Sequence, residues 1–286
     1  MNFKPFEVNN DNAKQGSPKF IAILLQQILW LTWALTLIVF CLGISWQVNK
    51  SANFSYNFWY QHLNINKTIV KNVAKNIHGK QDFPTDDALL HQEKFSDIVK
   101  AIHQQGKGLS NISYFNAKGH IRRFLTSSEV QHSQDVANLL DKVIKIWWGS
   151  ALLLLVLFVV YHNASLSKSN ANSKLSSFNR LVLAGMSIRA ITKIPSGKQK
   201  SISVLILLLL SITVLSIWGF TSVFYYLHTV VFPADHQWFF YYYDSLMSTI
   251  MKAPDIFAAI AGQLVLLGIC LVIIIDVMVT RFIRRH

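Results

Sequence analysis

The sequence predicts an all-α membrane protein: four transmembrane helices carrying a mainly helical extracytoplasmic domain that contains one β-hairpin. Three observations predict it. Only 14% of the 286 residues are charged and 52% are hydrophobic, where soluble domains carry about 25% charged residues. Four runs, Phe20–Trp46, Val143–Tyr161, Ile202–Leu227 and Ile256–Val279, are each near the ~20 apolar residues that cross a bilayer. Between the first two lies the mostly polar stretch Val48–Ile146, the one segment long enough to fold in water. The runs are apolar all round, as helices facing lipid or one another are. A spanning segment must satisfy its own backbone, and barrel strands would alternate and be about half as long.

On this reading the chain divides into a cytoplasmic tail (1–19), a first span (20–46), an extracytoplasmic domain (47–142) and a second span (143–161). A basic cytoplasmic loop (162–201), a third span (202–227), an aromatic outer connection (228–255), a fourth span (256–280) and a short cytoplasmic tail (281–286) follow. Orientation comes from Lys and Arg in the short connections. The 162–201 loop holds Lys168, Lys174, Arg180, Arg189, Lys193, Lys198 and Lys200 with no acid, and the C-terminus closes with Arg281, Arg284 and Arg285. Both termini are therefore expected inside an inner cell membrane. Long segments cross largely regardless of charge, so the basic residues of 48–146 do not reverse this. The net charge of +13 is absorbed by these orientation signals, and no direct nucleic-acid contact is expected.

The first span reads as an uncleaved signal anchor, because no small-residue cleavage site follows it. Cys41 follows the bulky Phe40 rather than the small residue a lipidation signal would want, and Cys270 lies at a different depth, so no disulfide is expected. In the outer segment, Trp59, Leu63, Val70, Val73 and Ile77 recur at helical spacing, and Gly79 can end that helix. Phe54, Tyr56, Phe58, Trp59 and Tyr60 cluster nearby, as an interfacial belt or a ligand-binding box. After Pro84, Thr85 or Asp86 can cap a second helix with Leu89, Leu90, Phe95, Ile98, Val99 and Ile102 on one side. Strand-formers flank the turn Asn116–Gly119 and predict a hairpin. A third helix from Val130 runs into the second span.

No catalytic cluster, cofactor motif or metal site stands out. His62, His78, His91, His103, His120 and His132 lack metal-ligand spacing and read as solvating residues. Four Asn-x-Ser/Thr matches (Asn53, Asn66, Asn111, Asn163) are expected by composition. Trp238-Phe239-Phe240-Tyr241-Tyr242-Tyr243 fits an interfacial segment. Asp276 is the one acid inside a span, near its inner end. Trp238, Phe239, Tyr241, Lys193, Lys198 and Lys200 are the candidate partner contacts.

Two resemblances bear on function. Tyr114, Phe115, Asn116, Gly119 and Ile121 resemble a strand pair of Cache and PAS-like extracytoplasmic sensor domains, which implies a ligand-binding outer domain. Asp276, Val279, Arg281, Ile283, Arg284 and Arg285 resemble the signature closing a span in membrane proteins of integrating conjugative elements, with Val277 where those have Gly. That resemblance implies a non-enzymatic, multi-pass inner-membrane component of a conjugation or type IV secretion apparatus. Such a component would have a periplasmic domain and act through membrane lipid, other membrane proteins or a homo-oligomer. A membrane sensor signalling through a partner and a small transporter subunit are the alternatives.

Overall fold

The computed structural model describes residues 18–169, 206, 209–210 and 212–285. The tail before Pro18 and the basic loop with Lys193, Lys198 and Lys200 lie outside the described residues. The fold is mostly helical with one two-stranded sheet. Three helices are long and apolar enough to cross a membrane, or four if a bent pair is counted as one span. This is a multi-pass membrane protein.

Helix α1 (Pro18–Ser51) is the centre of the membrane part. At 1.5 Å per residue its 34 residues reach about 50 Å, past a ~30 Å hydrocarbon core. It packs against α5 (Ser127–Ser169) and α8 (Asp255–Arg285). Gly43 explains the closeness to α5, because a Cβ there would meet Trp147 Cδ1 at 2.1 Å. Small residues allow such approach where lipid supplies no hydrophobic drive. Trp147 Nε1–H caps the contact by donating to Phe40 O at 3.1 Å. Ser45 Oγ donates to Leu264 O of α8 at 2.9 Å. At the other end Trp33, Leu157, Tyr161 and Ile283 close a second apolar cluster.

Above the spans sits a head domain. The helix expected across 59–77 is broken: α2 (Tyr56–His62) and α3 (Ile65–Val73) meet at Asn64, whose φ is +52°. Asn tolerates that left-handed backbone better than most residues. Ile65, Ile69 and Val73 recur at i, i+4, i+8 and are all buried. Helix α4 (Ala88–His103) is capped by Asp87, which accepts from Leu90 N–H at 2.9 Å, one residue later than the sequence suggests. Strands β1 (Ser113–Phe115) and β2 (Ile121–Arg123) pair antiparallel with Tyr114 opposite Arg122. The expected hairpin is present. Asn116 Oδ1 accepts from the Lys118 and His120 amides and holds its turn. No further strand joins this pair among the described residues, so the larger sheet of a Cache or PAS-like sensor is not formed there.

The head recruits a segment from far along the chain. Helix α7 (Leu246–Met251) is buried at all six positions and packs on α3 and α4. Tyr56 stacks on Phe95 at 4.0 Å and its hydroxyl donates to Ile250 O at 2.7 Å. Phe54, Tyr56 and Tyr60 are thus core residues, rather than an interfacial belt. Lys252 Nζ donates to Leu63 O at 2.8 Å and seals the junction.

The third apolar run is not one straight helix. Residues Ile212–Trp218 and α6 (Phe220–Val231) meet at 92°. Gly219, at φ +73° and ψ 150°, makes the bend, in a region that only glycine enters freely.

Candidate active site

The bend aims α6 across the base of the head and outlines a half-open cavity of about 430 Å³. Ile98 and Ile102 of α4 and Met247 and Met251 of α7 form its head-domain wall. Phe224 and His228 of α6, Phe232 just beyond its end and Phe257 of α8 form the membrane-helix wall. The loop Trp238–Phe240 covers one side, and His132 and Ser133 enter from the first turns of α5. The chamber is therefore apolar, placed where the head meets the spans, and carries two imidazoles.

Those imidazoles face each other, with ring centroids 6.1 Å apart and planes at 33°. His228 Nδ1 lies 2.7 Å from Phe224 O. Because a carbonyl only accepts, Nδ1 carries the hydrogen and the lone pair sits on Nε2. His132 Nδ1 is buried without a protein hydrogen-bond partner. An unsatisfied buried nitrogen costs about 1–3 kcal/mol, so His132 Nδ1 is open to a group that enters the chamber. Phe232 packs on both rings, 4.9 Å from His132 and 5.2 Å from His228.

The position of His132 is set by the start of α5. Thr126 Oγ1 accepts from Glu129 N–H at 3.3 Å, and Glu129 Oε2 accepts from Thr126 N–H at 2.5 Å. This is a reciprocal capping box. Glu129 is fully buried, and its other oxygen accepts from Ser245 Oγ, which in turn accepts from Ser248 N–H and caps α7. Lys80 Nζ stands 3.9 Å from Glu129 and donates to Phe124 O at 2.6 Å. Burial pushes its ammonium below the ordinary lysine value, with Glu129 opposing. One carboxylate thus ties the His132-bearing turn to the helix that lines the opposite wall.

The residues singled out in the sequence are scattered relative to this site. Trp238 and Phe239 line the cavity, with Trp238 5.2 Å from His228 and Phe239 5.5 Å from Tyr225. Tyr241 is exposed and stacks on Tyr243 at 5.2 Å. Asp276 lies toward the far end of α8, beside Trp30, Trp33 and Tyr161. Of the histidines read as solvating, His91 is fully buried and His132 lines the chamber. His228 was passed over because it ends an apolar run. A titratable side chain in such a run is itself the signal that could have found it. No group of three metal-ligating side chains occurs among the described residues.

The family model for lipoprotein intramolecular transacylase Lit matches residues 29–253. A solved structure, the membrane integral lipoprotein intramolecular transacylase Lit from Bacillus cereus in a histidine-to-arginine variant, superposes with a TM-score of 0.53. It is 12% identical, and the match covers 93% of each chain. At that identity it speaks for the fold. Among curated proteins no sequence matches. The family match overturns the reading as a component of conjugation or type IV secretion, and the resemblance of the C-terminal stretch with it. Basic residues after a span are an orientation signal shared by unrelated membrane proteins, which is why ten terminal residues misled. It also overturns the non-enzymatic reading, since the family is named for a transacylase. Scanning for sequence-local motifs could not pair histidines 96 positions apart (228 − 132). Because the model spans most of the sequence and the fold agrees, the chain belongs to the lipoprotein intramolecular transacylase Lit family.

Proposed function

We propose that this chain is a membrane acyltransferase acting on lipoproteins, moving an acyl chain from one position to another of the same molecule. The observation that carries this reading is the pair His132 and His228 facing each other across an apolar chamber of about 430 Å³. Transfer within one molecule needs no activated donor. It needs proton transfer at two heteroatoms and a site that keeps water out.

His228 Nε2, with its lone pair fixed by the Nδ1–H bond to Phe224 O, takes the proton from the acceptor nucleophile. The nucleophile forms a bond to the acyl carbonyl carbon, and the bond to the departing oxygen breaks. The His228 imidazolium gives that oxygen the proton. His132, whose imidazole is held neutral by burial and well below the ordinary histidine value, orients the reacting groups from the facing wall. The proton taken from the nucleophile thus ends on the departing oxygen and both imidazoles leave the cycle neutral, so atoms and charge balance. General acid–base catalysis of this kind contributes about 10²–10⁴-fold. The apolar walls favour transfer over hydrolysis by excluding the competing nucleophile, water. Cavities of this size and character take one drug-sized, mostly apolar group, such as the reacting end of an acylated substrate.

The test uses the purified full chain in detergent with a synthetic diacylated lipopeptide. Tandem mass spectrometry should find an unchanged total mass with one acyl chain relocated. Release of free fatty acid instead would make the chain a hydrolase and remove this reading.

The reading also places the head domain outside an inner cell membrane and both termini in the cytoplasm, supported by the seven basic residues and no acid of 162–201. Single cysteines introduced at Lys118 and Lys193, labelled in spheroplasts with an impermeant reagent, should react at 118 only. Reaction at 193 alone would invert the topology.

A further inference from the structure

Asp135 lies three residues beyond His132 on α5, and helix positions three apart share a face. Its carboxylate nevertheless pairs not with His132 but with a histidine of another element. Oδ2 meets His236 Nδ1 at 2.7 Å, with Asp135 largely buried. His236 belongs to the loop joining α6 to α7. Within that loop His236 N–H donates to Pro233 O at 3.2 Å and Gln237 Nε2 donates to Phe239 O at 3.1 Å. Between Phe232 and Phe239, the Asp135–His236 contact is the side-chain hydrogen bond that reaches another element among the described residues. Two residues further on, Trp238 lies 5.2 Å from the His228 ring and 5.9 Å from Tyr225.

We propose that Asp135 is a positioning residue: through His236 it straps the cavity-covering loop to α5 and so holds Trp238 against His228. This rests on the acyl-transfer reading of the two chamber histidines. One side chain on the His132 helix thereby fixes the surroundings of the base on the opposite wall. From Phe240 onward the α6–α7 loop is pinned by Ser248 Oγ donating to Phe240 O at 3.1 Å and Ile77 N–H donating to Tyr243 O at 3.0 Å. The Phe232–Phe239 half is otherwise attached through aromatic packing, which tolerates sliding. A hydrogen bond to a part-buried carboxylate does not. When the strap is cut the indole moves, and the His228 imidazole loses the neighbour that limits its orientation. A small misplacement of a catalytic group is enough to slow the reaction step.

The experiment measures kcat and KM of acyl relocation for Asp135→Ala, His236→Ala, the double variant and Asp135→Asn in the full chain, with melting midpoints recorded alongside. Each alanine variant should lower kcat about tenfold with little change in KM. The double variant should be no slower than either single one, the non-additivity expected of one shared contact. Asp135→Asn keeps an oxygen that accepts from His236 Nδ1–H and should restore most of kcat. Wild-type kcat in both alanine variants would overturn the strap, as would multiplying losses in the double variant. Should Asp135→Ala fail to fold, His236→Ala and Asp135→Asn still decide. His132→Ala and His228→Ala are run beside them. If those two remain active the acyl-transfer reading itself falls; if they are dead while the strap variants are untouched, only the strap falls.

Discussion

The head domain and the chamber beneath it both bury histidine, and they treat it in opposite ways. In the head, His91 is fully buried with both nitrogens engaged: Nε2–H donates to Pro84 O at 2.8 Å, and Nδ1 lies 2.8 Å from the Tyr60 hydroxyl. His103 is handled alike, with Nδ1–H donating to Val99 O at 2.7 Å and Nε2 accepting from Trp46 Nε1–H at 3.0 Å. In the chamber, His228 uses one nitrogen on its own helix, and His132 Nδ1 has no protein partner. A saturated imidazole is a rigid cross-link. An unsaturated one in an apolar cavity retains the capacity to handle a proton. The difference fits a structural role for the first pair and the proposed proton handling for the second.

The largest effect that could break this comparison is on turnover. His228→Ala or His132→Ala should lower the rate of acyl relocation about 10²–10⁴-fold while lowering the melting midpoint less than His91→Ala does, because neither imidazole hydrogen-bonds another element among the described residues. A variant that loses its fold along with its activity would put these histidines in the structural class.

His91→Ala should show the reverse pattern. It removes a packed ring and leaves Tyr60 and the Pro84 carbonyl without their partner, in a core beside Phe83. Cavity formation and lost hydrogen bonds together suggest roughly 2–4 kcal/mol of stability. Thermal unfolding in detergent should report a clearly lower midpoint, with turnover per folded molecule near that of the parent. A stable but inactive His91→Ala protein would transfer the catalytic role to the head.

The pH dependence of stability tests the head histidines directly. Burial holds the His91 imidazole below the ordinary histidine range, with the Pro84 carbonyl and nearby aspartates opposing, and burial does the same to His103. A histidine whose folded value is depressed binds its proton more readily when unfolded. Its contribution to stability is therefore complete above the unfolded value, about 6.5, and is lost as pH falls from there toward the folded value. The midpoint of the parent should drop between about pH 7 and pH 5. His91→Gln, which no longer titrates, should flatten part of that slope. An equal slope in both proteins would show that other groups dominate.

How much of this was legible in the sequence depends on the range of the signal. The spans at Phe20, Val143 and Ile256 were readable because uniform apolarity is a local property, and the Asn116–Gly119 turn because its chemistry lies within a few residues. The Gly219 bend was not, since one glycine in an apolar run is common and the 92° turn is needed only by the tertiary fold. The site was less legible still. It forms because α7, read as part of an outer connection, is buried in the head core, and this draws the α6–α7 loop over His132. Trp238 and Phe239 were noticed for their aromatic character, but whether such residues face a partner or a cavity is decided by that docking. Nothing local to His132 or His228 announces the other.

The smallest effect tests whether the chamber is held by the capping network that links it to the head. Thr126→Ala removes the hydroxyl that accepts from Glu129 N–H at 3.3 Å and should cost about 1 kcal/mol, the usual price of an N-cap. Glu129 keeps its bonds to the Thr126 amide and to Ser245, so the first turn of α5 should loosen rather than unwind. Since His132 sits on the following turn, a modest fall in kcat, about twofold to threefold, should accompany the lower midpoint, and Thr126→Ser should restore both. If Thr126→Ala lowers the midpoint with kcat untouched, the capping box serves the head alone and His132 is held by its packing against Phe232 and Phe240.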